Sequence, residues 1–439
     1  MTRRVLILAA TTAYQVDDLT AACRRLGLEP LLGSDRCHVL AEEWPAGALA
    51  LDFRDPARAA AQAVAAMGSQ PVAGVVATDE KTALIAGLVA DQLGLRHAPA
   101  GAARVAADKR RFRERMRDAG LPHPPFALVR LGDDPRPAAR ALGYPVVVKP
   151  LHLSASRGVM RADGDDELMD RAARLVELLA DPAVAAIAVE PEAARMFLVE
   201  RFVPGPEVAL EGLLAGGALR VLALFDKPDP LDGPTFAETI YVTPSELPAA
   251  RQAEVAAAVG DAARAIGLDE GPVHAELRLP PPNGPLPIRD RITGDDPVGP
   301  PAGLSPVVLE LAVRSIGGLC GRVLRFGAGI ALEEVIIAHA SGLDPGELTR
   351  SGAAAGGVMM LPVAEAGVLA EVRGVEAARA VPGVRDVVVT ARVGDHMVPL
   401  PEGHAYAGFV FAEGHAPAAV VSALRAAAAA LSFEVRRLL

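Results

Sequence analysis

Two runs between Gly271 and Gly318 each place a single carboxylate in an apolar setting. The first, Gly-Pro-Val-His-Ala-Glu-Leu-Arg-Leu, and the second, Val-Val-Leu-Glu-Leu-Ala-Val-Arg-Ser-Ile-Gly-Gly, alternate at period two between Pro and Gly punctuation, which predicts strands. Alternation then sorts the side chains by face. His274, Glu276 and Arg278 point one way and Val273, Ala275, Leu277 and Leu279 the other; Val308, Glu310 and Ala312 alternate with Val307, Leu309 and Leu311. A buried, unpaired carboxylate costs several kcal/mol, so two of them on neighbouring strands call for cations. Mg2+, which takes oxygen ligands, would supply them with Arg314 close by. In the competing reading Glu276 pairs with Arg278 or a surface lysine and the two strands are unrelated. These residues alone do not separate the two.

Other groups suit an anion. Tyr-Pro-Val-Val-Val-Lys-Pro predicts a strand that delivers Lys149 at its end, and Ser154-Ala155-Ser156-Arg157-Gly158 follows. Small hydroxyl residues and Gly let backbone N–H groups close on an oxyanion, whereas a plain hairpin turn is the alternative. Lys109 opens a basic amphipathic helix that starts at Asp108 and stops at Gly120, which by itself would be a solvated face. Phe197 to Val203 reads as a strand broken by Pro204-Gly205-Pro206, with Glu207 to Leu214 as the next. A ladder stopped in this way leaves backbone donors and acceptors free, as an adenine edge requires.

The elements that must position these groups begin with an open βαβ layer: strands at Val5 to Ala9, Glu29 to Leu32 and Val72 to Ala77, and helices at Val16 to Leu26 and Thr82 to Leu93. Asp79 and Glu80, just past the third strand, suit N-capping of the next helix better than ligand contact. Leu222 to Phe225 predicts a strand and Leu247 to Ile266 a helix. Beyond the second carboxylate, helices are expected at Leu319 to Phe326, Leu332 to His339 and Pro417 to Leu431, and strands at Gly357 to Pro362, Val384 to Val393 and Ala407 to Phe411. That alternation suggests a small α+β module.

At 439 residues the chain is long enough for several domains, and 51% hydrophobic with 22% charged residues is ordinary globular composition. A net charge of -10 argues against nucleic acid or an anionic membrane as the main partner. Three cysteines without metal-ligand spacing fit a reducing compartment, and no apolar run reaches membrane-spanning length. A cytoplasmic protein is expected, with a homodimer left open.

Lys109, Lys149 with its small-residue loop, Glu200-Arg-Phe202-Val203, then Glu276, Glu310 and Arg314 occur in the order seen in ATP-grasp ligases, which this chain resembles. Phe225-Asp-Lys-Pro-Asp-Pro-Leu-Asp-Gly-Pro, then Glu238-Thr-Ile-Tyr-Val-Thr-Pro-Ser and the tail Ala407-Gly-Phe-Val-Phe-Ala-Glu-Gly, narrow the resemblance to bacterial L-amino acid ligases. It implies an α/β and α+β chain in three parts: an N-terminal βαβ domain (1–104), an ATP-grasp domain (105–345) with a mobile lid at about 120–205, and a C-terminal module (346–439).

By that resemblance the activity is ADP-forming ligation of a carboxylate and an amine, both amino acids, through an acyl phosphate. A biotin-carboxylase-like enzyme and a nucleotide-binding scaffold without turnover are the alternatives. Lys109 and Lys149 would hold the ATP phosphates under a loop made by Ser154, Ser156, Arg157 and Gly158. Glu200, Phe202 and Val203 would take the adenine, Glu207 the ribose, and Glu276 with Glu310 would carry Mg2+. Arg314 would steady the acyl phosphate, Glu238 and Tyr241 would line the amino-acid pocket, and His274 would contact phosphate or substrate, with a structural role as its competing assignment. Ala312 stands where the family commonly has an Asn metal ligand, which leaves one or two ions. The Pro- and Gly-rich stretch from Leu286 to Pro306 interrupts the turn between the two carboxylate strands and is expected to be a surface excursion rather than a substrate lid.

Overall fold

The computed structural model describes residues 3–437 except 12, 36–47, 69–70, 189 and 282–304. The insertion expected at Leu286 to Pro306 therefore lies outside the described residues, apart from Ser305 and Pro306.

The N-terminal layer is a parallel sheet in the order Ala48–Ala50, Glu29–Ser34, Arg4–Leu8, Val72–Ala77. The Arg4–Leu8 strand sits at its centre, and Val5, Leu6, Ile7 and Leu8 are fully buried, as a near-continuous apolar run demands. Helix Glu80–Leu93 follows the last strand. Asp79 caps it reciprocally with Thr82: its carboxylate accepts from Thr82 N at 2.9 Å and its own N–H donates to Thr82 Oγ1 at 3.0 Å. Asp79 thus takes the capping role expected of it, and the cap presents Glu80 in the first turn.

Helix Lys109–Asp118 is capped by Asp108, whose carboxylate accepts from Arg110 N at 2.9 Å. Its inner face carries Phe112, Met116 and, unexpectedly for a basic amphipathic helix, a fully buried Arg113. The region expected to be the lid, called the lid below for its position, is an antiparallel sheet, Phe126–Arg130, Met196–Arg201, Val146–Pro150, Met160–Ala162, backed by helices Arg136–Leu142 and Asp165–Ala180. Its own core of Val146, Val148, Leu168, Leu175, Phe197 and Val199 makes it a separate packing unit.

The largest sheet has eight antiparallel strands in the order Val307–Ala312, Gly271–Arg278, Glu207–Ala215, Ala218–Asp226, Ile240–Thr243, Ala355–Pro362, Tyr406–Gly414, Val384–Val389. Strands of the C-terminal module continue the sheet that carries the carboxylates, joined where Ile240 pairs with Met359. Helix Ala249–Ile266 covers one part of this sheet and helix Pro417–Ala430 another. A further sheet, His396–Met397, Gly367–Arg373, Ser432–Arg436, completes the module; in its last two strands only Leu369 is fully buried, and both escaped the sequence reading.

Two expectations are corrected. Leu319 to Phe326 is not a helix: a 3-10 turn at Cys320–Val323 leads into Arg325–Phe326, which pairs with Ile330–Ala331. Gly318 at φ +61° and Gly327 at φ +47° bracket a stretch too short to repay helix nucleation. Strict alternation on the second carboxylate strand also fails. Glu276 faces Glu310, but Leu277 faces Val308, so Leu309 is a bulge residue without a partner of its own. The bulge sends Leu309 to the cleft beside Glu310 and puts Val308 and Leu311 together in the core.

Candidate active site

Register explains how the carboxylates meet. Gly271–Arg278 lies between the Val307–Ala312 and Glu207–Ala215 strands, so Glu310, Glu276 and Ala209 are cross-strand neighbours, as are Arg278 with Glu207 and His274 with Glu211. Together with the lid these strands line a cleft that opens to solvent. Val147, Val159, Phe202, Leu231, Phe236 and Leu309 form an apolar slot, and Lys149, Glu200, Glu207, Glu238, Glu276, Arg278 and Glu310 form its polar part.

One buried charge cluster centres on Lys227, at the end of the Ala218–Asp226 strand. Its ammonium lies 2.7 Å from Glu207, 2.6 Å from Glu238 and 3.1 Å from Glu276, and 4.7 Å from the centre of the Tyr241 ring. Among the described residues Glu207, Glu238 and Glu276 have convergent oxygens of the kind that could hold a metal, but Lys227 occupies their midst. Arg278 adds a second cation, with Nε 2.9 Å from Glu207, and donates to the carbonyls of Gly205 and Leu231. Tyr241 bonds through its hydroxyl to Glu238 at 2.6 Å and Glu276 at 3.2 Å.

These contacts set opposite fates for two neighbouring acids. Burial and the Glu276 charge push Glu238 up to about 7, against the pull of Lys227. Burial also opposes ionisation of Glu276, but Lys227 and His274 outweigh it and hold that carboxyl well below the usual range. His274 is raised: burial alone would lower it, and Glu211 at 3.4 Å and Glu276 at 3.7 Å overcome that.

A pH dependence follows for the metal-free protein. A carboxyl near 4.5 when unfolded and about 7 when folded stabilises the fold below pH 4.5, and that contribution is lost as pH rises through 7. Each pKa unit is about 1.4 kcal/mol, so the loss approaches about 3 kcal/mol. In chelator, Glu238→Gln is therefore expected to gain stability relative to the parent between pH 5 and pH 8. A constant difference between their melting midpoints over that range would refute the assignment.

The lid contributes a second buried cluster. Glu200 receives Lys149 at 2.5 Å and Arg113 at 2.6 Å. Burial pushes Glu200 up, but Arg113 and Lys149 hold it low; burial pushes Lys149 down against the pull of Glu200. Lys109 meets Glu310 at 3.2 Å and donates to the Leu153 carbonyl at 2.7 Å.

Most of the site residues expected from sequence thus converge. Lys149, Ser156, Glu200, Phe202, Val203, Glu207, Glu238, Glu276 and Glu310 line the cleft, and Lys109, Tyr241 and His274 adjoin it through the pairs above. Arg314 turns instead to Glu80 of the N-terminal layer, at 2.5 Å, and to the Ser315 carbonyl. Arg157 and Gly158 bond to the backbone of Glu402 and Pro401. Glu276 does find a lysine, but the buried Lys227 rather than a surface one, while Arg278 pairs with Glu207.

Sequence reasoning missed Arg113, Glu211, Lys227 and Arg278 as site members and favoured helix capping for Glu80, which instead pairs with Arg314. Lys227 carried the one usable signal, a lysine directly after an apolar strand, as at Lys149.

A lid sheet carrying lysine over a large antiparallel sheet carrying carboxylates, with an apolar slot between them, is the architecture of the ATP-grasp class. The ATP-grasp domain family matches residues 142–288, and L-amino acid ligase C-terminal domain 2 matches residues 359–436. The chain thus carries an ATP-grasp domain and an L-amino acid ligase C-terminal domain.

It is 29% identical over 201 residues to alanine--anticapsin ligase of Bacillus subtilis, covering 43% of this chain and 41% of that one. Over 302 residues it is 30% identical to carnosine synthase 1 of Gallus gallus, covering 61% and 32%. The match thus spans about two fifths of the first relative's length. In fold it is similar to the L-amino acid ligase from Bacillus licheniformis, with a TM-score of 0.80 at 22% identity over 99% of both chains. A biotin carboxylase domain of Hydrogenobacter thermophilus has a TM-score of 0.65 at 16% identity, over 99% of this chain and 91% of that one. No helix among the described residues is long and apolar enough to cross a membrane.

Proposed function

We propose that the chain is an ATP-dependent carboxylate-amine ligase that joins two amino acids through an acyl phosphate and releases ADP and phosphate in the cytoplasm. The observation that carries this reading is the cleft in which an apolar slot, Lys149 and the paired Glu276 and Glu310 meet, in a chain that carries an L-amino acid ligase C-terminal domain. The slot suits a purine. Lys149 from the lid and Lys109 beside Glu310 approach from two sides and suit a polyphosphate.

The donor set fits Mg2+. Glu276 and Glu310 are hard oxygen donors opposite each other across two strands; Glu276 is ionised by its surroundings, and the half-exposed Glu310 has oxygen free for a ligand. When bound, Mg2+ neutralises charge on the phosphoryl oxygens. Around it the chain's own residues bind and orient. Glu207 and Glu238 are fixed by Lys227, and Tyr241 holds Glu238 beside Glu276, where it suits an amino-acid substrate. Arg314, aligned by Glu80, suits the acyl carboxylate. Ala312, beside His274 in register, offers no oxygen, which favours one protein-held ion.

The test is to mix the protein with ATP, Mg2+ and pairs of amino acids and to follow phosphate, ADP and dipeptide. Equal amounts of all three are expected for at least one pair. AMP and pyrophosphate as products would overturn the reading, as would ATP bound without turnover across all pairs.

A further inference from the structure

The C-terminal module sends a short segment back over the lid, and it lands on the loop at 154–158. Gly158 N donates to the Pro401 carbonyl at 2.8 Å, and Arg157 Nε donates to the Glu402 carbonyl at 2.8 Å. The Glu402 carboxylate is gripped by Arg174 of the lid helix: Nη2 lies 2.8 Å from Oε1 and 3.1 Å from Oε2, and Nε lies 3.0 Å from Oε1. One stretch of two residues therefore touches the loop twice and the helix behind it once.

The loop so held is conformationally expensive. Ala155 and Ser156 sit at φ +54° and +55°, in the left-handed region that disfavours any residue with a side chain. Gly158, at φ +75°, is pressed against the same helix: a Cβ there would lie 3.0 Å from Leu175 and 3.1 Å from Leu178. Ser156, next to these anchors, lines the cleft. A half-exposed ion pair contributes little by itself, but a bidentate one backed by two backbone hydrogen bonds is comparable to the strain it opposes. The loop's shape therefore depends on the segment that clamps it.

We propose that Glu402 is a positioning residue for nucleotide binding. By clamping Arg174 while the neighbouring carbonyls hold Arg157 and Gly158, it keeps the 154–158 loop folded over the cleft, so the C-terminal module takes part in closing the lid. This rests on the reading of the cleft as a nucleotide site.

The test is a charge swap, with Glu402→Lys, Arg174→Glu and the double variant. Each single variant is expected to raise KM for ATP roughly tenfold with kcat changed less than threefold, and the double to restore KM to within about threefold of the parent. Trypsin cleavage after Arg157 without nucleotide is expected to quicken in the singles and slow again in the double. Unchanged KM and cleavage in both singles would overturn the proposal, and so would a lower KM, which would mean that the segment holds the loop away from the cleft. Glu402→Gln, which removes the clamp without reversing charge, gives the same reading at smaller amplitude should a charge-reversed variant not fold. The cleavage arm needs no ligase activity, so failure of the ligase reading and failure of this one are distinguishable.

Discussion

Glu310→Ala is expected to abolish phosphate release while leaving the fold intact. In the site proposed above, Glu310 is one of two carboxylates that would hold Mg2+, and its removal would leave phosphoryl charge uncompensated. A loss of at least about a thousandfold, or roughly 4 kcal/mol of barrier, is the expected scale. Stability has little to lose. The side chain is 41% exposed and pairs with Lys109 at 3.2 Å, and an ion pair in that setting contributes under about 1 kcal/mol. The apolar neighbours Val308 and Leu311, which anchor the strand in the core, are untouched. Phosphate release and the melting midpoint should be measured together. Activity within tenfold of the parent would remove Glu310 from the machinery, and a collapsed midpoint would make it a structural residue.

Lys227→Met should give the opposite pattern, in which stability falls first. The ammonium is 3% exposed and neutralises three carboxylates that are themselves largely buried. Burial alone would deprotonate it, but Glu207, Glu238 and Glu276 hold its pKa well above the lysine range. A methionine fills similar volume and leaves three acids facing one another, with Arg278 still on Glu207. Removing one partner from a buried ionic network costs about 3–5 kcal/mol. For a unit of this size that lowers the melting midpoint by on the order of 10 °C. The deficit should shrink as pH falls towards 5, because protonation of the carboxyls relieves the same repulsion. A midpoint within about 2 °C of the parent at pH 8 would show that the cluster does not need its lysine.

Much of this protein is written locally. Period-two alternation around Glu276 depends only on which residues stand next to each other, and the Gly271–Arg278 strand keeps Val273, Ala275 and Leu277 in the core as that pattern requires. Asp79 and Asp108 announce helix starts because a cap is satisfied within three residues of itself. Lys149 stands at a strand end for the same local reason, and the order of the motifs along the chain was enough to place it in the ATP-grasp class.

Pairing between distant elements was decided by the tertiary structure. The bulge at Leu309 depends on how two strands register across the insertion, and one residue of slippage exchanges cleft and core faces. Arg113 looks like one more solvated arginine until the lid brings Glu200 against it, and only then is a buried guanidinium affordable. Arg314 is claimed by Glu80, which belongs to a different layer, and Glu402 reaches the lid loop from the far end of the chain. Where the ladder is unbroken, neighbouring residues determine the face a side chain occupies. Its partner is determined by sheet order and by the docking of one layer on another, which no window along the sequence contains.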